Sequence, residues 1–202
     1  MRLILKSVLL ISVLFHTSVS AENNSRKKLI YVPTYFIEIS KITHVPADIL
    51  YALAAQETNA RMNDKTVRPW PYSINLDGKP ERFASYEQLV ARSKEIMESG
   101  RRSFDVGLFQ VNWKWHSHRV NSIEELAHPT KNGLIASQIL IEQYRIHKNW
   151  VVAAGRYHNP NNNNGLADKY QAEFLDKLKR IQNGSYQRAL VNQNKLAMNR
   201  PE

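Results

Sequence analysis

The chain has 202 residues, 43% of them apolar, which is enough for one domain with a substantial core and too few for two large domains. It contains no cysteine, so disulfides, thiolate metal sites and thiol nucleophiles are excluded. The formal charge is +10, and a basic surface suits an anionic partner. The basic residues are interleaved with acidic ones, however, and this mixing is more typical of a solvated surface than of a nucleic-acid-binding stripe. We expect no nucleic-acid partner.

The first 21 residues predict a secretory signal peptide. Arg2 and Lys6 precede a short apolar run, and small residues at Val19 and Ala21 indicate cleavage after Ala21. A retained membrane anchor is the alternative, but the run is short for a bilayer span, and no other stretch approaches the roughly 18 apolar residues that a spanning helix needs. We therefore expect an exported chain in the bacterial periplasm, without a stable membrane span after signal removal, beginning with a polar lead at 22–33.

Helical and hairpin signals alternate in the next part of the chain. Apolar residues recur at helical spacing over 34–43, and a proline suited to a first turn opens a second helix over 46–58. The stretch "RPWPY" (68–72) is not helical, because prolines flank its tryptophan. Alternating residues around the Asp-Gly pair at 77–78 predict a tight β-hairpin.

Capping signals mark the helices that follow. Ser85 and Gln88 form a capping box for a helix over 86–99, with Gly100 as its stop. The stretch "DVGLFQVNWKWHSH" (105–118) predicts a loop or an irregular helix. The remaining predicted helices are a short one capped by Ser122 and Glu125, a long one over "NGLIASQILIEQYRIHK", one over "NWVVAAGRYHNP" that ends at Pro160, and a last one over "LADKYQAEFLDKLKRI".

These elements predict a mainly α (α+β) fold: a single helical domain over 34–182 with a small β-hairpin. Residues 183–202 are polar and poor in large apolar side chains. We expect them to be disordered or loosely attached.

One carboxylate breaks the pattern of the second helix. Leu50 and Leu53 lie on its apolar face, and Glu57 occupies the next position on that face. Burial and the negative end of the helix dipole both raise the pKa of such a carboxyl group, so that it stays protonated near neutral pH and acts as a general acid. The alternative is a glutamate that extends into water or pairs with Arg61.

The motifs of the chain, taken in order, resemble those of the soluble lytic transglycosylases. These are "QETN" after a V-P-x-x-[IL]-L helix, then "DVGLFQVN", "NGLIASQIL", "AAGRYHNP" and a final "KY" helix. The resemblance covers roughly Tyr35 to Arg180. The stretch "RPWPYSIN" with "DVGLFQVNWKWH" is similar to the variant that accompanies conjugation and type IV secretion systems.

The resemblance implies a lysozyme-like fold and cleavage of the MurNAc–GlcNAc β-1,4 bond of peptidoglycan without water, leaving 1,6-anhydroMurNAc. It implies glycan strands and components of a conjugation or secretion apparatus as partners, a monomer, and no metal or cofactor. Glu57 matches the single catalytic acid/base of the family. The implied glycan-binding residues are Leu108, Phe109, Gln110, Asn112, Tyr157 and His158.

Several positions depart from the family pattern. Thr58 replaces the usual serine, Phe109 replaces methionine, and His158-Asn159 replaces Asn-Ala. Leu166 stands where the family often has Glu-Thr. The inserted hairpin is a further candidate for a cleft wall, through Trp70, Tyr72 and Ser73.

Other residues have a structural and a functional interpretation. Asp105 is a candidate second carboxylate, but capping of the following turn is the favoured role. Trp113 and Trp115 are candidates for sugar stacking or for packing. The pair His116 and His118 lacks a third ligand at metal-binding spacing. The aromatic residues for which we predict a packing role are Tyr144, Trp150 and Tyr170.

Three rival functions remain open at the level of sequence. A hydrolytic muramidase of the same fold would use a second carboxylate and leave reducing ends. A catalytically silent glycan-binding or assembly subunit would not need Glu57 for any reaction. A DNA-handling accessory of conjugation would use the basic surface, although the export signal argues against it.

Overall fold

The computed structural model describes residues 31–61 and 67–198. The predicted signal peptide and residues 22–30 of the predicted lead lie outside the described residues. The helices are α1 Thr34–Thr43, α2 Ala47–Thr58, α3 Tyr86–Glu98, α4 Trp113–His116, α5 Ile123–Ala127, α6 Pro129–His147, α7 Trp150–His158 and α8 Leu166–Met198. The strands are β1 Ala60–Arg61, β2 Val67–Arg68, β3 Ser73–Leu76, β4 Lys79–Arg82, β5 Asp105–Val106 and β6 Val111–Asn112. This architecture confirms the predicted mainly α, α+β single domain.

The predicted helix starts carry the hydrogen bonds that their sequences indicate. The Ser85 hydroxyl accepts from the amide of Gln88 at the start of α3, and the Ser122 hydroxyl accepts from the amide of Glu125 at the start of α5. These bonds satisfy amide donors that have no partner inside the helix. At the other end of α3, Gly100 takes a left-handed conformation with φ of +81°, as a helix stop requires.

The predicted hairpin is present and belongs to a larger sheet. Asp77 and Gly78 both have positive φ, as a two-residue hairpin turn needs, and they join β3 to β4. The segment predicted as a loop or irregular helix contributes β5, β6 and α4 instead. β5 pairs with β3, and the four antiparallel strands follow the order β4-β3-β5-β6. Strands of two residues are too short for the alternation by which a sequence reveals a strand.

A buried asparagine ties the β5–β6 turn to α6. Asn132 donates from Nδ2 to the carbonyls of Val106 (2.9 Å) and Leu126 (3.1 Å), and its Oδ1 accepts from the amide of Phe109 (2.9 Å). Gly107 has φ of +84°, and a Cβ added there would lie 2.6 Å from the Asn132 side chain. Only glycine therefore fits between the turn and the asparagine.

The core lies between α2, α6, α7, α8 and the inner face of the sheet. Residues 49–55 of α2 are all buried, and α8 packs against both α2 and α7. The buried stripe of α8 consists of Tyr170, Phe174, Leu178 and Ile181 at helical spacing. The second helix and the last helix of the described chain, α2 and α8, thus meet in the interior.

The last helix is longer than the sequence indicated. α8 continues past Asn183 to Met198, so the backbone over 184–198 is helical. The reason is local: this stretch contains alanine, leucine, glutamine, lysine and arginine, which favour helices, and no proline before Pro201. Within the part of the chain that the structure describes, every helix is too short or too polar to cross a bilayer.

Candidate active site

A cleft of about 910 Å³ opens where the C-terminal end of α2 meets the sheet and the last two helices. α2 contributes Gln56 and Glu57 to its lining, and α4 contributes Trp115 and His116. The residues contributed by the sheet are Asn75, Asp105, Gln110, Val111 and Asn112, and those of α7, α8 and the loop between them are Tyr157, His158, Asn159, Pro160, Asn161, Asn163, Leu166, Lys169, Tyr170 and Glu173.

Glu57 lies in this cleft with its carboxylate turned toward α8. The Tyr170 hydroxyl donates a hydrogen bond of 2.7 Å to Glu57 Oε1, which answers the question whether this side chain points inward or into water. Burial raises the pKa of Glu57 to about 8; the hydrogen bond from Tyr170 opposes this shift, and the negative charge of Asp105 adds to it. The carboxyl group therefore holds a proton at neutral pH and is able to donate it.

Tyr170 belongs to the site, contrary to the prediction that it is only a packing residue. Its ring is buried in the α8 stripe while its hydroxyl reaches Glu57, and the His158 ring stacks on it at 4.7 Å between centroids and 16° between planes. Helical spacing identified the ring as core, but the same spacing holds whether or not the hydroxyl has a partner. The one sequence feature that could have indicated a role for Tyr170 in the site was the "KY" pair of the final helix, which is among the motifs that resemble the lytic transglycosylases.

Tyr157 connects the cleft to the β5–β6 turn. Its hydroxyl donates to the carbonyl of Phe109 (2.8 Å), and burial together with the nearby charges of Glu57 and Asp105 raises its pKa well above the usual value. The Tyr157 hydroxyl therefore keeps its proton and remains a donor. The predicted site residues that the structure brings together are Glu57, Gln110, Asn112, Tyr157 and His158.

Gln110 holds its own turn in place. Its φ is +47°, which is unusual for a residue other than glycine, and its Nε2 donates to the carbonyls of Gly107 (2.8 Å) and Ser73 (3.3 Å). The amide nitrogen is thus committed to the backbone although the residue lines the cleft.

Asp105 has a different role from the predicted cap. It lies on β5, and its Oδ1 accepts from Nδ2 of Asn112 on the neighbouring strand (2.8 Å). Burial raises its pKa, and the bond from Asn112 opposes that shift. Among the described residues, the buried oxygens Asn75 Oδ1 and Asn112 Oδ1 lack a hydrogen-bond partner. Both oxygens belong to residues that line the cleft.

Four predicted glycan-binding residues do not line the cleft. The side chains of Leu108 and Phe109 are buried in the core, so the turn serves the site through its backbone and through Gln110. Ser73 is buried and donates to the carbonyl of Trp70 (3.0 Å), and Tyr72 packs against the core. The sequence alone does not show which side chains of these strands and turns face the core and which face the cleft, because that depends on the elements that cover each face of the sheet.

Thr58 fixes the end of the helix that carries the glutamate. Its hydroxyl donates to the carbonyl of Ala54 (2.9 Å) and accepts from the amide of Trp70 (3.0 Å), so it ties α2 to the segment before β3. The Trp70 indole in turn donates to the carbonyl of Phe83 (2.9 Å). Thr58 and Trp70 are therefore positioning residues rather than cleft residues.

The two tryptophans of α4 separate into different roles. Trp113 is buried in the core, whereas Trp115 is 64% exposed and lines the cleft.

Within the described residues no cluster of three or more histidine, cysteine, aspartate or glutamate side chains is arranged to hold a metal ion. Tyr144 and Trp150 stack on each other at 3.9 Å between centroids, which agrees with their predicted packing role.

The arrangement can perform proton transfer. A protonated carboxyl group, a tyrosine that stabilises its charged form, a second carboxylate and several amide side chains line one cleft. No protein-family model, curated protein or solved structure matches the chain.

Proposed function

We propose that the protein is a peptidoglycan lytic transglycosylase that cleaves the MurNAc–GlcNAc β-1,4 bond to leave 1,6-anhydroMurNAc. The observation that carries this proposal is the environment of Glu57: a carboxyl group with a pKa of about 8, bonded to Tyr170, in a cleft large enough for sugar residues. The resemblance of the ordered sequence motifs to the lytic transglycosylases supports the choice of reaction.

In the proposed reaction Glu57 acts first as an acid. It gives its proton to the glycosidic oxygen while the bond from that oxygen to C1 of MurNAc breaks, and the sugar's N-acetyl group stabilises the positive charge that develops at C1. The Tyr170 hydroxyl stabilises the Glu57 carboxylate that results. Glu57 then acts as a base: it takes the proton of the C6 hydroxyl as O6 bonds to C1. The ring closes, the glutamate regains its proton, and no water is consumed.

Hydrolysis by the same cleft is the second candidate, and Asp105 favours it. A hydrolytic enzyme needs a second carboxylate as a nucleophile or to activate water, and Asp105 lines the cleft close enough to raise the pKa of Glu57. Its bond from Asn112 keeps one oxygen of that carboxylate occupied. The two reactions differ in their products, since hydrolysis leaves reducing MurNAc ends.

The proposal extends to the setting of the enzyme. We place it in the periplasm as a monomer that opens the wall locally for a conjugation or type IV secretion apparatus. The predicted signal peptide supports the compartment, and the resemblance of the "RPWPYSIN" and "DVGLFQVNWKWH" stretches supports the apparatus.

The test is mass spectrometry of the fragments released from purified peptidoglycan. The wild-type chain without its predicted signal peptide is expected to release 1,6-anhydroMurNAc ends, and Glu57→Gln is expected to lower the rate at least ~10³-fold because the proton donor is lost. Glu38→Gln, the same chemical change at an exposed position of α1, serves as the matched control and is expected to retain the wild-type rate. Reducing ends would favour the muramidase, and an active Glu57→Gln would refute the assignment of the acid.

A further inference from the structure

We propose that Trp115 and His116 form a sugar-binding subsite of the cleft, in which the indole stacks on an N-acetylated pyranose and the imidazole donates a hydrogen bond to it. The subsite rests on the proposed function, because it names how the same cleft holds a glycan strand. Both residues lie on α4 and both line the cleft.

The exposure of Trp115 is the first observation behind the subsite. Of the large apolar side chains in the described residues it is among the most exposed, at 64%, and it lies in the cleft rather than on an outer face. The Lys114 ammonium lies 4.7 Å from the centre of the Trp115 ring and covers one face. At 64% exposure, the side chain still presents surface on which a ligand can stack. The negative face of an indole attracts the partly positive C–H groups on the flat side of a pyranose.

The partners of His116 fix which of its nitrogens carries a proton. Arg119 Nε donates to His116 Nδ1 (3.3 Å), and Glu142 holds the Arg119 guanidinium with two bonds of 2.7 and 2.9 Å. An Nδ1 that accepts a hydrogen bond requires a neutral ring with its proton on Nε2. Burial, followed by the charges of Arg119 and His118, lowers the pKa of His116 to about 4, so the ring stays neutral.

A neutral donor beside an exposed indole suits a neutral sugar. Nε2–H has no hydrogen-bond partner among the described residues, and it offers one donor to a hydroxyl or an N-acetyl carbonyl oxygen. Pockets for small ligands commonly combine an aromatic surface with a few fixed polar groups in this way. A charged histidine would instead favour an anion. The chemical class of ligand is therefore an N-acetylated, uncharged pyranose unit.

The experiment measures binding of N-acetylchitotetraose by calorimetry, with every variant carrying Glu57→Gln so that cleavage does not interfere. Trp115→Leu is expected to weaken binding ~10-fold, because it keeps an apolar side chain and removes the aromatic face, whereas Trp115→Phe is expected to stay within ~3-fold. His116→Phe is expected to weaken binding ~10-fold by removing the donor, and His116→Gln, which restores an N–H donor, to stay within ~3-fold.

Ile146→Ala is the matched surface control, since Ile146 is 69% exposed on α6 and does not line the cleft. Its affinity is expected to equal that of Glu57→Gln alone. Equal affinity of Trp115→Leu and Glu57→Gln, or no binding by Glu57→Gln itself, would overturn the subsite. The proposed function is tested separately by cleavage of peptidoglycan. If the wild type cleaves peptidoglycan but Trp115→Leu binds the oligosaccharide normally, the proposed function stands and the subsite is refuted. If Trp115→Leu weakens binding but the wild type does not cleave peptidoglycan, the subsite stands and the proposed reaction is refuted.

Discussion

The chemistry of the cleft depends on how the environment of Glu57 balances two opposing effects. Burial favours the protonated carboxyl group, and the hydroxyl of Tyr170 favours the carboxylate. A catalytic group that must both give and take a proton in one cycle needs this balance, since a pKa near the working pH makes both steps accessible.

The balance predicts a pH-dependent effect of Glu57 on stability. The folded pKa, about 8, lies above the ordinary value of 4.5, so the stability that protonation of Glu57 contributes is fully present below pH 4.5 and is lost as the pH rises through 8. Glu57→Gln stays neutral and avoids this loss. We expect its Tm to match that of the wild type at pH 4 and to exceed it by roughly 10 °C or more at pH 9, as measured by calorimetry, because the raised pKa corresponds to about 5 kcal/mol and a chain of this length gains about 2–4 °C per kcal/mol. A stabilisation of equal size at both pH values would contradict the assignment to burial.

Removal of the Tyr170 hydroxyl is expected to shift the pH–rate profile. Tyr170→Phe removes the hydrogen bond that stabilises the Glu57 carboxylate, so the pKa of Glu57 rises further and the basic limb of the profile moves to higher pH. We also expect the maximal rate to fall ~10-fold or more, because the charged intermediate loses a donor. Tyr157→Phe removes a nearby hydroxyl that is bonded to Phe109 instead, and its basic limb should stay in place. A Tyr170→Phe profile that overlays the wild type would refute the role of the hydroxyl.

At the scale of elements, the sequence predicts the helices and the hairpin that hydrophobic periodicity, capping residues and turn residues mark. The capping boxes at Ser85 and Ser122 and the Asp-Gly turn predict the elements that the structure contains, because these signals are local. β5 and β6 were not predicted because each has only two residues, and β5 joins the sheet by pairing with β3, about 30 residues earlier in the chain. Glu57 was identifiable since a carboxylate on an apolar face is conspicuous, whereas the hydroxyl of Tyr170 leaves the apolar pattern of α8 unchanged.

The junction of the β5–β6 turn with α6 predicts non-additive stabilities. Gly107→Ala places a Cβ 2.6 Å from the Asn132 side chain at a positive φ, and we expect it to cost about 2–4 kcal/mol. Asn132→Ala leaves an amide and two carbonyls without their partner, at about 2–4 kcal/mol. The double variant should lose less than the sum, because removal of Asn132 also removes the clash.

Denaturant unfolding of the four proteins measures this coupling. Gly78→Ala is the control: it has φ of +78° and open space around it, so only the backbone term of about 1–2 kcal/mol applies. Strict additivity of the Gly107 and Asn132 changes would contradict a direct contact between them.

For the whole molecule, the basic charge bears on how the protein would bind its proposed substrate. The chain carries 28 lysines and arginines and 18 acidic residues. Two of the basic residues, Arg2 and Lys6, belong to the predicted signal peptide. The peptides of the cell wall carry carboxylates, and attraction between such a polymer and a basic protein is screened by salt. Under the proposed function, charge of this kind would raise the local concentration of the protein on the wall without specifying which bond is cut.

We therefore expect salt to weaken binding to insoluble peptidoglycan. In a sedimentation assay with Glu57→Gln, the bound fraction should fall steeply between about 0.05 M and about 0.5 M NaCl, because the Debye length shortens from roughly 14 Å to about 4 Å. Binding to chitin, which is uncharged, should change little over the same range. Retention on peptidoglycan that is insensitive to salt would show that the cleft alone determines binding.

The hydrogen bond between Glu57 and Tyr170 joins residues 113 positions apart. As the chain is synthesised, α2 emerges long before α8, and until α8 docks the glutamate has neither its tyrosine nor its dry surroundings. A nascent or unfolded chain thus carries an ordinary glutamate in water, with an ordinary carboxyl pKa. The protonated acid exists only once α8 has docked on α2, so the proposed wall-cutting activity would be withheld from any form of the protein in which α8 is undocked.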